Sequence, residues 1–122
     1  MDGLILQDHV TVTGEATATD RVTQFKTGHL DLSRFDAVEL RADVIYLSNV
    51  DLAVEVTDKP DERTWNGSVL FDATTGQVRK TLFLKRDQNL STNFLQSFMR
   101  WTLEPTGGGA WQATFRLLVY PR

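Results

Sequence analysis

The sequence predicts an all-β fold: an antiparallel two-sheet β-sandwich, jelly-roll-like, of about eight strands in a single domain over residues 1–122. Three observations carry this expectation. Apolar and polar residues alternate with a period of two through most of the chain, the spacing at which a strand turns successive side chains to opposite faces. The alternating runs are short and punctuated by turn-forming residues, as in sandwiches and barrels. No segment sustains the i, i+3, i+4 apolar stripe of a long amphipathic helix. A chain of 122 residues, 41% of them hydrophobic, can bury one core without covalent staples.

The elements follow in order. His9–Thr13 and Arg21–Lys26 alternate and are rich in threonine, which favours strands. Leu32–Phe35 is expected to form one tight helical turn. From Ala37 to Val44, Val38, Leu40, Ala42 and Val44 point one way, and Glu39, Arg41 and Asp43 the other. Asp51–Asp58 repeats the pattern, with Leu52, Val54 and Val56 inward and Asp51, Glu55 and Thr57 outward. The short Ser48-Asn49-Val50 link reads as a hairpin or a corner. Strands are also expected at Trp65–Phe71, at Gln77–Lys85 after the turn Ala73–Gly76, at Phe94–Glu104 and at Ala110–Tyr120. A second helical turn is expected over Asn89–Leu95, with Ser91 as its cap. In the last strand Trp111, Ala113, Phe115, Leu117 and Val119 share one face. Gly107-Gly108-Gly109, after Pro105, reads as a hairpin loop that tolerates positive φ.

The N-terminal stretch Met1–Leu6 lies outside this pattern. It admits two readings, an arm packing on a neighbouring molecule or a first edge strand, and it makes Leu4, Ile5 and Leu6 candidate interaction residues. It has no basic region and only three consecutive apolar residues, so it does not read as a signal peptide, and synthesis in a cytoplasm is expected. No run of 18 apolar residues encodes a membrane-spanning helix, and no membrane partner is expected.

Composition narrows the chemistry. The chain has 13 basic and 16 acidic residues, a formal net charge of −3, and no cysteine. The absence of cysteine removes disulfides, thiolate metal sites and thiol nucleophiles. The densest basic stretches are Arg79-Lys80 and Lys85-Arg86, the second followed at once by Asp87, so a nucleic-acid partner is not expected. The two histidines, His9 and His29, have no second ligand at metal spacing. The acidic loop Asp58-Lys59-Pro60-Asp61-Glu62-Arg63 lacks the order of acids and glycine in an EF-hand and interleaves its carboxylates with cations, so it reads as a solvated turn. There is no Gly-x-Ser-x-Gly elbow and no phosphate-cradling glycine loop. No catalytic, cofactor or metal residues are therefore assigned. Asn66-Gly67-Ser68 and Asn89-Leu90-Ser91 match the glycosylation acceptor pattern, taken here as chance matches. Among the tryptophans, Trp101 and Trp111 lie on apolar stripes and are expected in the core. Trp65 stands at a loop-to-strand junction and is the candidate for an exposed ring, with Asn66 and Asp61 beside it.

Three segments resemble small β-sandwich structural proteins of tailed bacteriophages. They are Leu30-Asp31-Leu32-Ser33-Arg34-Phe35-Asp36-Ala37-Val38, then Leu52-Ala53-Val54-Glu55-Val56-Thr57-Asp58 through Thr64-Trp65, and finally Arg100-Trp101-Thr102-Leu103-Glu104 with a glycine turn and Ala113–Val119. The likeness spans residues 30 to 120 and departs at residues 58–63, where those proteins usually carry a glycine-bearing turn. The resemblance implies a head-decoration, minor capsid or tail component, non-enzymatic, partnered by shell subunits and by copies of itself, and located on a virion or similar particle. The other expectation, from a different class, is a carbohydrate-binding module that uses Trp65, Asn66 and Asp61 against a glycan.

Overall fold

Alternating β-branched and apolar residues produce strands wherever one face can be buried, and the chain does this almost throughout. The structure is a computed structural model that describes residues 3–15, 21–61, 64–72, 77–86, 94–106 and 109–122. Among the described residues there are nine strands: β1 (Leu4–Gly14), β2 (Val22–Thr23), β3 (Leu30–Asp31), β4 (Ala37–Ser48), β5 (Val50–Thr57), β6 (Asn66–Phe71), β7 (Val78–Lys85), β8 (Phe98–Pro105) and β9 (Trp111–Pro121). A single 3-10 turn, Lys26–Gly28, lies between β2 and β3.

The first sheet has the order β1-β9-β4-β7 and the second β2-β8-β5-β6, with β3 also on β8. All of these strand pairs are antiparallel. β2 meets β8 at Leu103 and Thr102, and β3 meets it at Met99 and Phe98. They are therefore two halves of one interrupted edge, which leaves eight strand positions, four to a sheet. Only the β2–β3 and β5–β6 connections stay within a sheet. The result is the all-β two-sheet sandwich with jelly-roll strand order.

The core lies between the sheets. Val38, Leu40 and Val44 of β4, Leu52, Val54 and Val56 of β5, Met99 and Leu103 of β8, and Ala113, Phe115, Leu117 and Val119 of β9 are fully buried. Trp101 meets Phe115 edge-on across the gap, with ring centroids 5.2 Å apart, and Trp111 is buried beside them. At Gly14 any side chain would strike the Trp111 indole, whose atoms lie 2.0 Å from the position of a Cβ. One polar side chain enters this core. Gln24 donates to the carbonyls of Leu6 and Gly28 and accepts from the Trp101 amide, so its burial leaves nothing unpaired.

The structure decides several of these expectations, some for and some against. The glycine-rich link between β8 and β9 is not a hairpin, because β8 belongs to the second sheet while β9 sits between β1 and β4 in the first. The chain changes sheets there, with Gly109 at φ 127°; Gly107 and Gly108 lie outside the described residues. Ser48-Asn49-Val50 is likewise a corner between sheets. Asn49 takes φ 58°, a conformation asparagine tolerates better than most residues, and its amide donates to the Ala110 carbonyl at 3.1 Å. The expected strand Arg21–Lys26 shortens to Val22–Thr23, because the chain then turns to place Gln24 in the core. Leu32–Phe35 is a single turn closed by the Phe35 amide on the Leu32 carbonyl at 3.1 Å. Of the turn expected over Asn89–Leu95, only Phe94 and Leu95 are described; both are buried, and the Leu95 amide bonds the Lys85 carbonyl. Ala73–Gly76 lies outside the described residues.

Leu4, Ile5 and Leu6 do not form a free arm. They open β1, where Leu4 pairs with Val119 and Ile5 with Leu118. The strand bulges between Ile5 and Val10, and this places Leu6 in the core at 3% exposure while Ile5 stands out at 57%.

Candidate interaction surface

The outward positions of the two sheets behave differently, and the difference locates the site. On the second sheet the middle of the outward face, on β5 and β8, is covered, while Leu70 on the β6 edge stands out at 64% exposure. Glu55 of β5 is only 7% exposed and is held by two arginines: Arg21 at 2.6 Å and Arg100 at 3.0 Å. Arg21 also bonds the buried Thr102 hydroxyl. The Arg100 guanidinium lies 4.1 Å from the Trp65 ring centroid, and His29 meets the same ring at 5.0 Å, nearly perpendicular. A carboxylate desolvated between two guanidiniums, with an aromatic over one of them, is a closed electrostatic unit.

The predicted glycan residues fall at the rim of this unit. Trp65 is half-buried with its ring already engaged. Asn66 spends its amide on the Gln96 side chain at 2.9 Å. Asp61 is exposed. The structure thus brings Trp65 and Asn66 together by sequence adjacency without giving them a free stacking face. Asp58, from the same loop, is not a free oxygen ligand either. It accepts from the Ser97 amide and hydroxyl, both at 2.9 Å, and from Gln96. The Ser97 amide bond, above all, holds its carboxyl below the ordinary 3.8. Glu62 and Arg63 lie outside the described residues.

The first sheet presents an open face built in cross-strand rows. One row runs Ile5–Leu118–Arg41–Thr81 across β1, β9, β4 and β7. A second runs Tyr120–Glu39–Phe83, and a third Arg116–Asp43–Arg79. The rows interlock through cations over rings: Arg41 lies 4.1 Å from the Tyr120 centroid and Arg122 lies 5.0 Å from that of Phe83. Glu39 accepts from Arg122 and from Arg41 at 2.6 Å. Those two bonds, Arg122's the larger, hold its carboxyl below the ordinary 4.5. Ile5 and Phe83, at 57% and 55% exposure, stand out at the two edges of the sheet.

The third row floors a groove of about 460 Å³, lined by Arg41, Asp43, Arg79, Lys80, Arg116 and Tyr120 among others. Four of its residues are cationic and one is a carboxylate, in a chain whose net charge is −3. In the sequence Arg79-Lys80 stands out only as a short basic pair. Arg41 and Arg116 come from distant strands, and only the registers of β4 with β7 and β9 bring the cations together. The available signal was that each arginine occupies an outward position of an alternating strand.

Exposed aromatic and aliphatic side chains interleaved with arginine are the composition of contact surfaces and their hot spots. Topology and face together define a jelly-roll sandwich with one closed face and one open, cation-rich face. No protein-family model matches the chain, and no curated protein or solved structure matches it at a significant level.

Proposed function

We propose that this chain is a non-enzymatic assembly subunit, a decoration or minor structural component of a phage-like particle, which docks on a larger protein shell through the outer face of its first sheet. The observation that supports it most is that face: Ile5 and Phe83 exposed at its edges, with Arg41, Arg116, Arg122 and Tyr120 between them. Leaving large apolar groups in water costs roughly 25 cal/mol per Å² of apolar area, a cost that association with a partner removes. The jelly-roll order adds support by analogy alone, since capsid domains use it and so do lectins. Between those two, the engaged ring of Trp65 favours the shell component over the glycan module.

The test compares the wild-type chain with the double variant Ile5→Asp, Phe83→Asp in the cells that encode it. Both positions are solvent-exposed, so circular dichroism of the two proteins is expected to coincide. The wild type is expected to co-band with particles on a density gradient and to form a defined oligomer by light scattering; the double variant does neither. A wild-type chain absent from every particle fraction and monomeric at all concentrations sinks the proposal.

A further inference from the structure

The groove on the first sheet has a charge and a geometry that say what it takes. Asp43 is the only carboxylate among its lining residues, and it serves two arginines poorly. Arg79 Nε lies 3.4 Å from Asp43 Oδ1, and Arg116 Nη2 lies 3.6 Å from Asp43 Oδ2. Neither contact is a hydrogen bond: Asp43 Oδ1 and Arg116 Nε are both buried without a hydrogen-bond partner. Arg41 makes its hydrogen bond on the far side, to Glu39. Arg79 projects into solvent at 82% side-chain exposure, and Lys80 beside it is exposed as well.

A planar guanidinium is shaped to grip a carboxylate with two parallel bonds, and Arg79 and Arg116 keep 82% and 36% of their side chains exposed. These two cations share one poorly engaged acid, which leaves a positive excess that a second carboxylate would complete. We infer that this groove is a carboxylate-binding site for acidic side chains on the partner protein, seated between Arg116 and Arg79, with the exposed Lys80 at its edge. The inference rests on the docking function proposed above and specifies the chemistry of the docked surface. It also accounts for a cationic face on an acidic protein. An acidic shell segment is drawn to this one face although the chain as a whole carries a net charge of −3.

The test uses a hexaglutamate peptide at low ionic strength, followed by NMR chemical-shift perturbation and calorimetry on the intact chain. Shifts are expected at Arg41, Arg79, Lys80 and Arg116, and the affinity is expected to fall more than about tenfold when salt is raised from ~0.02 to ~0.2 M. The exposed double reversal Arg79→Glu, Lys80→Glu is expected to abolish binding with its spectrum otherwise intact. Asp43→Asn, which removes the internal competitor, is expected to tighten binding several-fold, an effect that general surface attraction would not concentrate at one residue. Shifts scattered away from the groove, or an affinity unchanged by the double reversal, overturn the inference. So does tighter binding of inorganic phosphate or of a single-stranded oligonucleotide than of hexaglutamate. A chain found on particles that ignores hexaglutamate overturns the groove assignment alone. One that binds hexaglutamate here and is absent from particles overturns the docking function alone.

Discussion

The two outer faces of this sandwich are made from the same kind of strand and end in opposite states. On the second sheet Glu55, Thr57 and Thr102 are buried at outward positions. Arg21 and the segments carrying His29 and Trp65 close over β5 and β8 and pair their charges. On the first sheet Glu39 is likewise buried between Arg41 and Arg122, but no such segment crosses the rows among the described residues. Those two arginines lie over rings, and Arg79 extends into water. Strand alternation decides which way a side chain points. Whether that direction leads to solvent depends on where the connections run. A face that has satisfied its own charges has little left to offer a partner, and one that has not can still bind.

If this contrast is right, the largest effect falls on the closed face. Arg100→Ala leaves Glu55 buried with one arginine in place of two and strips the cation from Trp65. It is expected to cost about 3 kcal/mol in urea unfolding, the scale of a broken buried ion pair. A loss below about 1 kcal/mol would mean the face is solvated and the contrast false. A smaller effect, about 1 kcal/mol, is expected for Asp58→Ala, which removes the acceptor for the Ser97 amide and hydroxyl beside the same sheet.

Acid tests both sheets at once, because Glu39 lies on β4 of the first and Asp58 follows β5 of the second. Both carboxyls sit below their ordinary values in the folded chain, so the unfolded chain takes up protons first as pH falls. The stability they confer is fully present above the ordinary 4.5 and 3.8. It is lost as pH drops through the folded values beneath them. Denaturation midpoints should therefore decline below about pH 4.5, and Glu39→Gln should flatten part of that decline. An unchanged slope in Glu39→Gln would mean that the arginines do not hold Glu39. The smallest effect belongs to Arg79→Ala on the open face, expected within about 0.5 kcal/mol of wild type in the same unfolding measurement, as for an exposed pair.

The fold was legible because β4, β5 and β9 each bury one full face, so the period of two in Val38–Val44, Leu52–Val56 and Trp111–Val119 survives in the sequence. Three things were not. Glu39 and Glu55 read as solvent-facing because alternation gives a side chain's direction and is silent on what lies above it. The glycine link after Pro105 read as a hairpin because neighbours in sequence usually pair, whereas jelly-roll wrapping sends them to opposite sheets. The groove escaped because Arg41, Arg79 and Arg116 meet only through strand register, which no local pattern encodes. The aromatic that did attract attention, Trp65, is occupied by Arg100, a residue 35 positions away.

The place of β9 has a consequence for how the molecule is made. Trp111–Pro121 follows the other described strands in sequence and is an interior strand of the first sheet, between β1 and β4. A ribosome delivers residues in order, at roughly 5–20 per second, so both neighbours emerge well before the strand that joins them. Throughout that interval β1 has no partner and β4 lacks one of its two, and their apolar sides have only half a core to cover them. The eleven residues of β9 supply both missing ladders, one to β1 and one to β4.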